Sequence, residues 1–204
     1  SNTVIRSLKR LTYLEAQALI DGNLCEARQH ACGNPSYGRP MIAALQLMEK
    51  LAKIIRKRRI ANGQINLDLP QVRLVFDKGG RVIDAMPEDD SFTHTIIEMF
   101  MVEANEAVAQ LFESLNVPFM RRIHPAPDAK GRNELRQFTR VAGYNVPMNP
   151  SRHELQNLLD AVRGKASQFA VNLAVLKSLP RAEYSPKNVG HFALSSNHYT
   201  QTVH

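Results

Sequence analysis

The chain of 204 residues has no tryptophan, two cysteines and no long uninterrupted run of apolar residues. A helix that crosses a membrane needs roughly 18 or more predominantly apolar residues in succession, so the sequence predicts no membrane partner. The N-terminal segment SNTVIRSLKRLTY lacks the apolar stretch of a secretion signal. A low cysteine content suits a reducing compartment, and we therefore expect a cytoplasmic protein.

The two cysteines flank His30 in the segment CEARQHAC. A structural zinc site takes several cysteine and histidine ligands at short, regular spacings, and no second cluster accompanies this one. The pattern therefore favours ordinary thiols at Cys25 and Cys32 over a zinc site.

Basic residues outnumber acidic ones. The chain has 26 Lys and Arg against 19 Asp and Glu, which gives a net charge of +7 at pH 7. Such an excess favours a polyanionic partner, because each cation that neutralises a phosphate releases a condensed counterion. Charge alone does not select nucleic acid, since many basic proteins bind none.

The first third of the chain predicts two helices. Thr12 and Glu15 have the spacing of a capping box, and the helix that they start ends at Asp21-Gly22. Residues 23–40 are rich in glycine and proline and are predicted to form a loop. Residues 41–63 form a predicted long helix. Its predicted buried stripe comprises Ile42, Leu45, Met48, Leu51/Ala52 and Ile55.

The period of the pattern then changes. Alternating apolar residues in INLDLP and VRLVFDKGGRVIDAMP predict three short strands, of which the last two form a hairpin. Residues 91–115 return to helical spacing, and three further helices are predicted at about 128–142, 151–163 and 165–179. We therefore predict a single mixed, helix-rich α/β domain. The predicted buried stripe of the 91–115 helix is Ile97, Met101, Ala104, Val108 and Leu111/Leu115, widened by Ile96, Phe100 and Phe112.

Five blocks of sequence carry a resemblance to one family. They are VIRSLKRLTY, MEKLAKIIRKRRIANGQINLDLP, IIEMFMVEANEAVA, RRIHPAPD and YSPKNVGHFALSSNHYT. In this order they resemble the central and later portion of the catalytic RNB domain of the ribonuclease II/ribonuclease R exoribonucleases, over residues 1–204 and with bacterial ribonuclease R the closer type. The resemblance implies hydrolytic 3′→5′ degradation of single-stranded RNA to nucleoside monophosphates, with a divalent metal that is usually Mg²⁺.

Two motifs of the family are not found in this sequence. The family's aspartate cluster, which would hold the metal, lies upstream of the VIRS block. Its catalytic arginine follows the position of Tyr199-Thr200, where this chain continues directly with Gln201. Family-like sequence resumes at Gln201, which favours a stretch missing after Thr200. No catalytic residue or metal ligand can be named, and we predict no significant nuclease activity for these residues alone.

RNA contacts are predicted at four residues, two of them from the resemblance. Glu98 matches a family glutamate that accepts a hydrogen bond from a ribose hydroxyl, a contact that distinguishes RNA from DNA. The alternative is an exposed or paired helical glutamate, although its apolar neighbours would make burial of an unpaired carboxylate costly. Tyr13 matches a tyrosine that contacts the nucleotide, or else it packs on the first helical turn. Arg6 and Arg10, beside Tyr13, are predicted phosphate contacts.

Other family-like positions receive structural interpretations. Leu67 stands where the family often has a phenylalanine that clamps the bases, and leucine cannot stack in that way. The basic run KIIRKRRI has two interpretations, a phosphate-binding stretch and a solvated helix face, and the second is favoured. His124, His191 and Asn105 are predicted to be hydrogen-bonded structural residues.

Two other functions remain open. A catalytically inactive RNA-binding module would keep the scaffold and lack the aspartate cluster. A basic scaffold protein would show no salt-dependent affinity for oligo-RNA. The sequence identifies no protein partner.

Overall fold

The computed structural model describes residues 4, 7–70 and 72–201. It is a helix-rich α/β structure, as predicted. It has two small antiparallel sheets, of which only the hairpin was predicted. No helix in the described part of the chain combines the length and the apolar character needed to cross a membrane. The elements are α1 (Tyr13–Ile20), α2 (Leu24–Gln29), α3 (Arg39–Ala61), β1 (Val72–Phe76), β2 (Val82–Pro87), α4 (Phe92–Ser114), β3 (Arg121–Ile123), α5 (Ala129–Val141), α6 (Arg152–Val162), α7 (Gln168–Ser178) and β4 (Glu183–Ser185).

The chain divides into two compact units. The first comprises Ser1–Ile55 and Glu88–Phe100, and the second comprises Arg56–Pro87 and Met101–His204. Each unit has its own apolar core. Two clusters in the first unit centre on buried Ile20, Ala52, Ile55, Ile96 and Met99 and on Ala18, Leu19 and Ala27. The core of the second unit is formed by Ile65, Leu135, Val146, Leu155, Leu158, Leu159, Val162, Val171 and Val175.

The capping box predicted for α1 is present. The Thr12 hydroxyl accepts a hydrogen bond from the Glu15 N–H at 3.1 Å, and the Glu15 carboxylate accepts one from the Thr12 N–H at 3.3 Å. The same carboxylate is buried, pairs with Lys9 and accepts a hydrogen bond from the Tyr37 hydroxyl at 2.8 Å. Glu15 therefore starts the helix and also anchors the segments on both sides of it.

Residues 23–40 are not entirely a loop, because they include α2. Asn23 caps this short helix: its side-chain oxygen accepts from the Glu26 N–H at 3.2 Å, and its amide donates to the Glu26 carboxylate at 2.8 Å. Ala27 is fully buried in the core beside Ala18 and Leu19. The glycines and prolines of this region are confined to the stretch after α2, and its first residues are helical.

The predicted hairpin is confirmed, but the strand predicted for INLDLP is not. β1 and β2 pair in antiparallel register, with Leu74 opposite Ala85. In the segment before them, the backbone N–H groups of Asn66 and Asp68 donate to side-chain amides of α6 and α7 at 2.8 Å each. Because side chains satisfy these N–H groups, the extended segment needs no neighbouring strand.

The predicted buried stripe of α4 is wrong by part of a helical turn. The buried residues of this helix lie on the face that carries Ile96, Met99, Val102, Asn105 and Ala109. Most of the predicted stripe is exposed, as at Ile97, Ala104, Val108, Leu111 and Leu115. Apolar residues surround this helix on nearly all sides, so hydrophobic spacing alone could not determine which face packs inward.

Helices α5 and α7 approach closely at Gly131. This glycine is buried in the first turn of α5, and a Cβ atom built on it would lie 2.5 Å from the Ser178 carbonyl oxygen at the end of α7. Its N–H donates to the Asp128 carboxylate at 2.7 Å, which caps the helix. Glycine is therefore required here by space rather than by an unusual backbone angle.

Candidate RNA-binding site

The first unit carries the exposed tyrosine predicted to contact RNA. Tyr13 directly follows the N-cap residue Thr12 and is 42% exposed. Its ring stacks on that of His94 in the first turn of α4, with centroids 3.7 Å apart and planes inclined by 26°. Its main-chain carbonyl accepts a hydrogen bond from the Thr93 hydroxyl at 3.0 Å. Tyr13 therefore packs on the first turn of α4, whereas the alternative interpretation had expected it to pack on the first turn of its own helix.

A carboxylate holds the histidine of this stacked pair. His94 Nε2 lies 3.1 Å from an oxygen of Asp89. Asp89 also accepts hydrogen bonds from the N–H and the hydroxyl of Ser91, at 2.9 and 3.1 Å. Partial burial by itself would raise the pKa of Asp89, but these hydrogen bonds and His94 hold it below its ordinary value. The carboxylate is therefore ionised at neutral pH.

Glu98 lies one turn further along α4 than His94. Residues four apart share one face of a helix, so the structure brings Glu98 to the same face as the ring that supports Tyr13. Its side chain is exposed. The cost of burying an unpaired carboxylate, which favoured a functional role from the sequence, therefore does not arise here. Its predicted contact with a ribose hydroxyl stays a prediction, and an exposed position is compatible with it.

The two predicted phosphate contacts differ in what the structure describes. Arg10 is exposed and lies three residues before Tyr13. Arg6 lies outside the described residues. Lys9, between them, pairs with the buried Glu15 and sits 4.7 Å from the centre of the Tyr37 ring. The stretch from Lys9 to Tyr13 is thus anchored to the first unit and presents an exposed cation beside an exposed ring.

Leu67 belongs to the second unit. It is half-buried and packs against the apolar core of that unit. The position therefore serves packing in this chain, which agrees with the expectation that leucine cannot replace a stacking phenylalanine.

The basic run at the end of α3 is not uniformly solvated. Arg59 is 5% exposed and makes ion pairs with Glu103 and Glu106 of α4, whereas Arg58 is exposed and pairs with Glu103 alone. The prediction of a solvated face is therefore wrong for Arg59. The sequence of the run does not indicate that Arg59 is buried, because the carboxylates that pair with Arg59 are more than 40 residues away in sequence.

His124 and His191 are hydrogen-bonded structural residues, as predicted. His124 is buried, with Nε2 at 2.8 Å from the Pro180 carbonyl and Nδ1 accepting from the Ala193 N–H at 3.2 Å. His191 lies against it, with ring centroids 4.9 Å apart. Burial is the main cause of the lowered pKa of both rings, and for His191 it falls to about 4. Sequence spacing did not reveal that the two rings are neighbours.

Asn105 is also buried, and its amide donates to the Tyr199 hydroxyl at 3.3 Å. This agrees with the prediction of a packed amide on α4. The contact joins the middle of the helix to the segment near the end of the described chain.

The described residues do not form a metal site. No group of three or more His, Cys, Asp or Glu side chains is placed to hold an ion within residues 4, 7–70 and 72–201. The clustered carboxylates Glu103 and Glu106 are engaged by arginines, so their charge is already neutralised. The residues present therefore do not fit a catalytic Mg²⁺, and no chemical step is assigned through one.

In the first unit Tyr13, Arg10 and Glu98 are exposed, and the Tyr13 ring stacks on His94. Aromatic rings and cations are the groups with which single-stranded nucleic acids stack and pair. Comparison with known proteins identifies the family of the chain. The RNB domain family model matches residues 1–203, and the chain belongs to this family.

Relatives and solved structures support the same assignment. The chain is 35% identical over 199 residues to ribonuclease R of Aquifex aeolicus and 34% identical over 154 residues to ribonuclease R of Thermotoga maritima, covering 97% and 74% of this chain. The structure of Mycoplasma genitalium RNase R in complex with ribose methylated single-stranded RNA superposes on 93% of this chain with a TM-score of 0.81 at 22% identity. This last likeness establishes the fold.

The chain spans only part of these proteins. It covers 27% and 22% of the length of the two relatives and 29% of the solved chain. The resemblance read from the five sequence blocks is thereby confirmed as a match to a portion of ribonuclease R.

Proposed function

We propose that this chain is part of a hydrolytic 3′→5′ exoribonuclease that degrades single-stranded RNA to nucleoside monophosphates. The observation that carries the proposal is the match of the RNB domain family to residues 1–203, together with 35% identity to a ribonuclease R. The positive net charge and the exposure of Tyr13, Arg10 and Glu98 support it, since these side chains are accessible for the stacking, phosphate and ribose contacts that we propose. The cytoplasmic location expected from the sequence remains a prediction.

A divalent metal, Mg²⁺, belongs to this proposal at the level of the family. It would activate water for attack on the phosphate and neutralise the growing charge. Its ligands are not found among the described residues, which contribute RNA binding. The role of this chain's own side chains is to hold the strand by its bases, phosphates and ribose.

The test of the proposal is degradation of a 5′-labelled single-stranded RNA by the protein expressed from its complete gene. We expect progressive shortening from the 3′ end with Mg²⁺ and none with EDTA. A deoxy oligonucleotide of the same sequence is the matched control and should stay intact. Uncut RNA in the presence of Mg²⁺ would contradict the enzyme and favour a different function.

A catalytically inactive RNA-binding module is the second candidate. The observation that favours it is that no carboxylate cluster able to hold a metal occurs in the described part of the chain. The two candidates share the RNA-binding surface and differ in whether the complete protein also has the aspartate cluster that the family resemblance implies. RNA that is bound by the complete protein but never shortened would support this second function.

Replacing Glu98 with glutamine should weaken RNA binding selectively. Glutamine keeps an acceptor oxygen but lacks the charge that strengthens the hydrogen bond, so we expect oligo-RNA affinity to fall by up to roughly tenfold. Affinity for the matching deoxy oligonucleotide should not change, because DNA has no 2′-hydroxyl to donate. Fluorescence anisotropy with labelled oligonucleotides measures both affinities.

The matched control is Glu134→Gln, which changes an exposed glutamate on α5 of the second unit. It should leave both affinities unchanged. Equal losses for RNA and DNA in the Glu98 variant would indicate a general structural effect and rule out a ribose contact, and equal gains would indicate only relief of charge repulsion.

A further inference from the structure

The first turn of α4 contacts α1 at three points, all within the first unit. The Thr93 hydroxyl donates to the Tyr13 carbonyl at 3.0 Å, and the Thr93 N–H donates to the Gln17 side-chain oxygen at 3.2 Å. The third point is the stack of the His94 ring on the Tyr13 ring. Backbone and side chain of Tyr13 are therefore both held by the same helical turn.

His94 is itself fixed. Asp89 contacts its Nε2 at 3.1 Å, and Ser91 fixes Asp89 through two hydrogen bonds. The Ser91 hydroxyl is also 2.8 Å from the hydroxyl of Thr93, which extends the network to the Tyr13 carbonyl. An exposed histidine without such partners would move among several side-chain rotamers.

We infer that His94 is a positioning residue for RNA: it fixes the Tyr13 ring in the orientation in which a nucleotide base stacks on it. The inference rests on the proposed RNA-binding function of the chain. Nothing in the sequence resemblance points to it, since it follows from the stacked pair and its anchor at Asp89. A ring that is already ordered loses less conformational freedom when the base binds, and this preorganisation strengthens binding.

The test is a double-mutant cycle at Tyr13 and His94, measured as affinity for a short labelled single-stranded RNA. We expect His94→Ala to weaken binding roughly two- to tenfold, the cost of ordering one free side chain. In the Tyr13→Ala background the same change should have almost no effect, because no ring is left to position. His94→Phe keeps a stacking ring and should retain most of the affinity.

The possible results distinguish a failure of the positioning role of His94 from a failure of the RNA-binding function on which that role rests. Equal losses from His94→Ala with and without Tyr13 would overturn positioning and indicate a structural effect. Wild-type affinity in the His94→Ala variant would overturn it as well. If the wild-type chain binds no RNA, the RNA-binding function and the inference fail together.

Circular dichroism checks that each variant is folded. If His94→Ala is unfolded, the cycle is run with His94→Gln, which keeps a hydrogen-bond donor for Asp89 and removes the ring. The same selective loss is expected for that variant, and its absence would overturn the inference.

Discussion

Replacing Arg59 with alanine should lower the free energy of unfolding by about 3–5 kcal/mol, because it removes a buried cation and leaves the partly buried carboxylate of Glu106 without its arginine. The Arg59 side chain donates to Glu103 at 2.9 Å, to Glu106 at 2.7 Å and to the Gln64 side-chain oxygen at 2.7 Å. It also donates to the Leu194 carbonyl at 3.2 Å. One guanidinium thus joins the end of α3, the middle of α4 and the segment after β4.

Urea denaturation of the purified variant measures this loss, and a chain that no longer folds at room temperature is its extreme form. The matched control is Arg58→Ala, which removes a neighbouring arginine that pairs with Glu103 at 2.6 Å but is 55% exposed in its side chain. Solvent screens that pair, so the control should lose less than about 1 kcal/mol. Similar losses in the two variants would contradict a special role for the buried arginine.

Lowering the pH from about 7 to about 4.5 should destabilise the second unit through His191, by up to about 2–3 kcal/mol. Burial, followed by the nearby His124 and Arg122, lowers the pKa of His191 from 6.5 to about 4. As the pH falls, the unfolded chain therefore takes up this proton before the folded chain does. The contribution is complete above about pH 6.5 and is lost as the pH falls toward 4.

The measurement compares unfolding free energies across this pH range for the wild type and for His191→Phe, which keeps an aromatic ring beside His124 and Tyr199. The variant should lose less stability on acidification than the wild type. His153→Phe makes the same substitution at an exposed histidine and should retain the wild-type pH dependence. If His191→Phe follows the wild type, His191 does not cause the acid sensitivity.

Local chemistry made much of the fold predictable. The capping boxes before α1 and α6 are short-range patterns, and both are present with their two reciprocal hydrogen bonds. The hairpin followed from alternation and from glycines at its turn, where Gly80 has a φ of +79°. Such features depend on neighbouring residues, so a sequence read without tertiary information contains nearly all that decides them.

The predictions that proved wrong concern residues whose environment is set by parts of the chain that are distant in sequence. INLDLP has the alternation of a strand, yet its N–H groups bond to Gln156 and Asn172, which are 90 and 104 residues away. The face of α4 was misassigned because the helix is apolar nearly all round, and packing alone selects which apolar residues become buried. In both cases more than one structure is compatible with the local pattern of apolar residues.

The candidate site likewise contains residues that the sequence predicted and residues that only the structure revealed. The sequence resemblance pointed to Tyr13, Glu98, Arg6 and Arg10, and the structure places Tyr13 on His94 and Glu98 one turn beyond His94 on the same face. His94 and Asp89 carried no signal of their own in the sequence. Their spacing does not reveal that Asp89 contacts His94, or that His94 stacks on a tyrosine about 80 residues earlier in the chain.

The sequence by itself determined the family, the elements with strong local signals and the residues predicted to meet RNA. Only the tertiary structure decided which face of α4 is buried, that Arg59 pairs with two carboxylates in the second unit, and that His94 stacks on Tyr13. The physical reason is that helix caps and turns are stabilised by nearby groups in the chain. Burial, ion pairing and ring stacking depend instead on which distant residues the folded chain brings into contact.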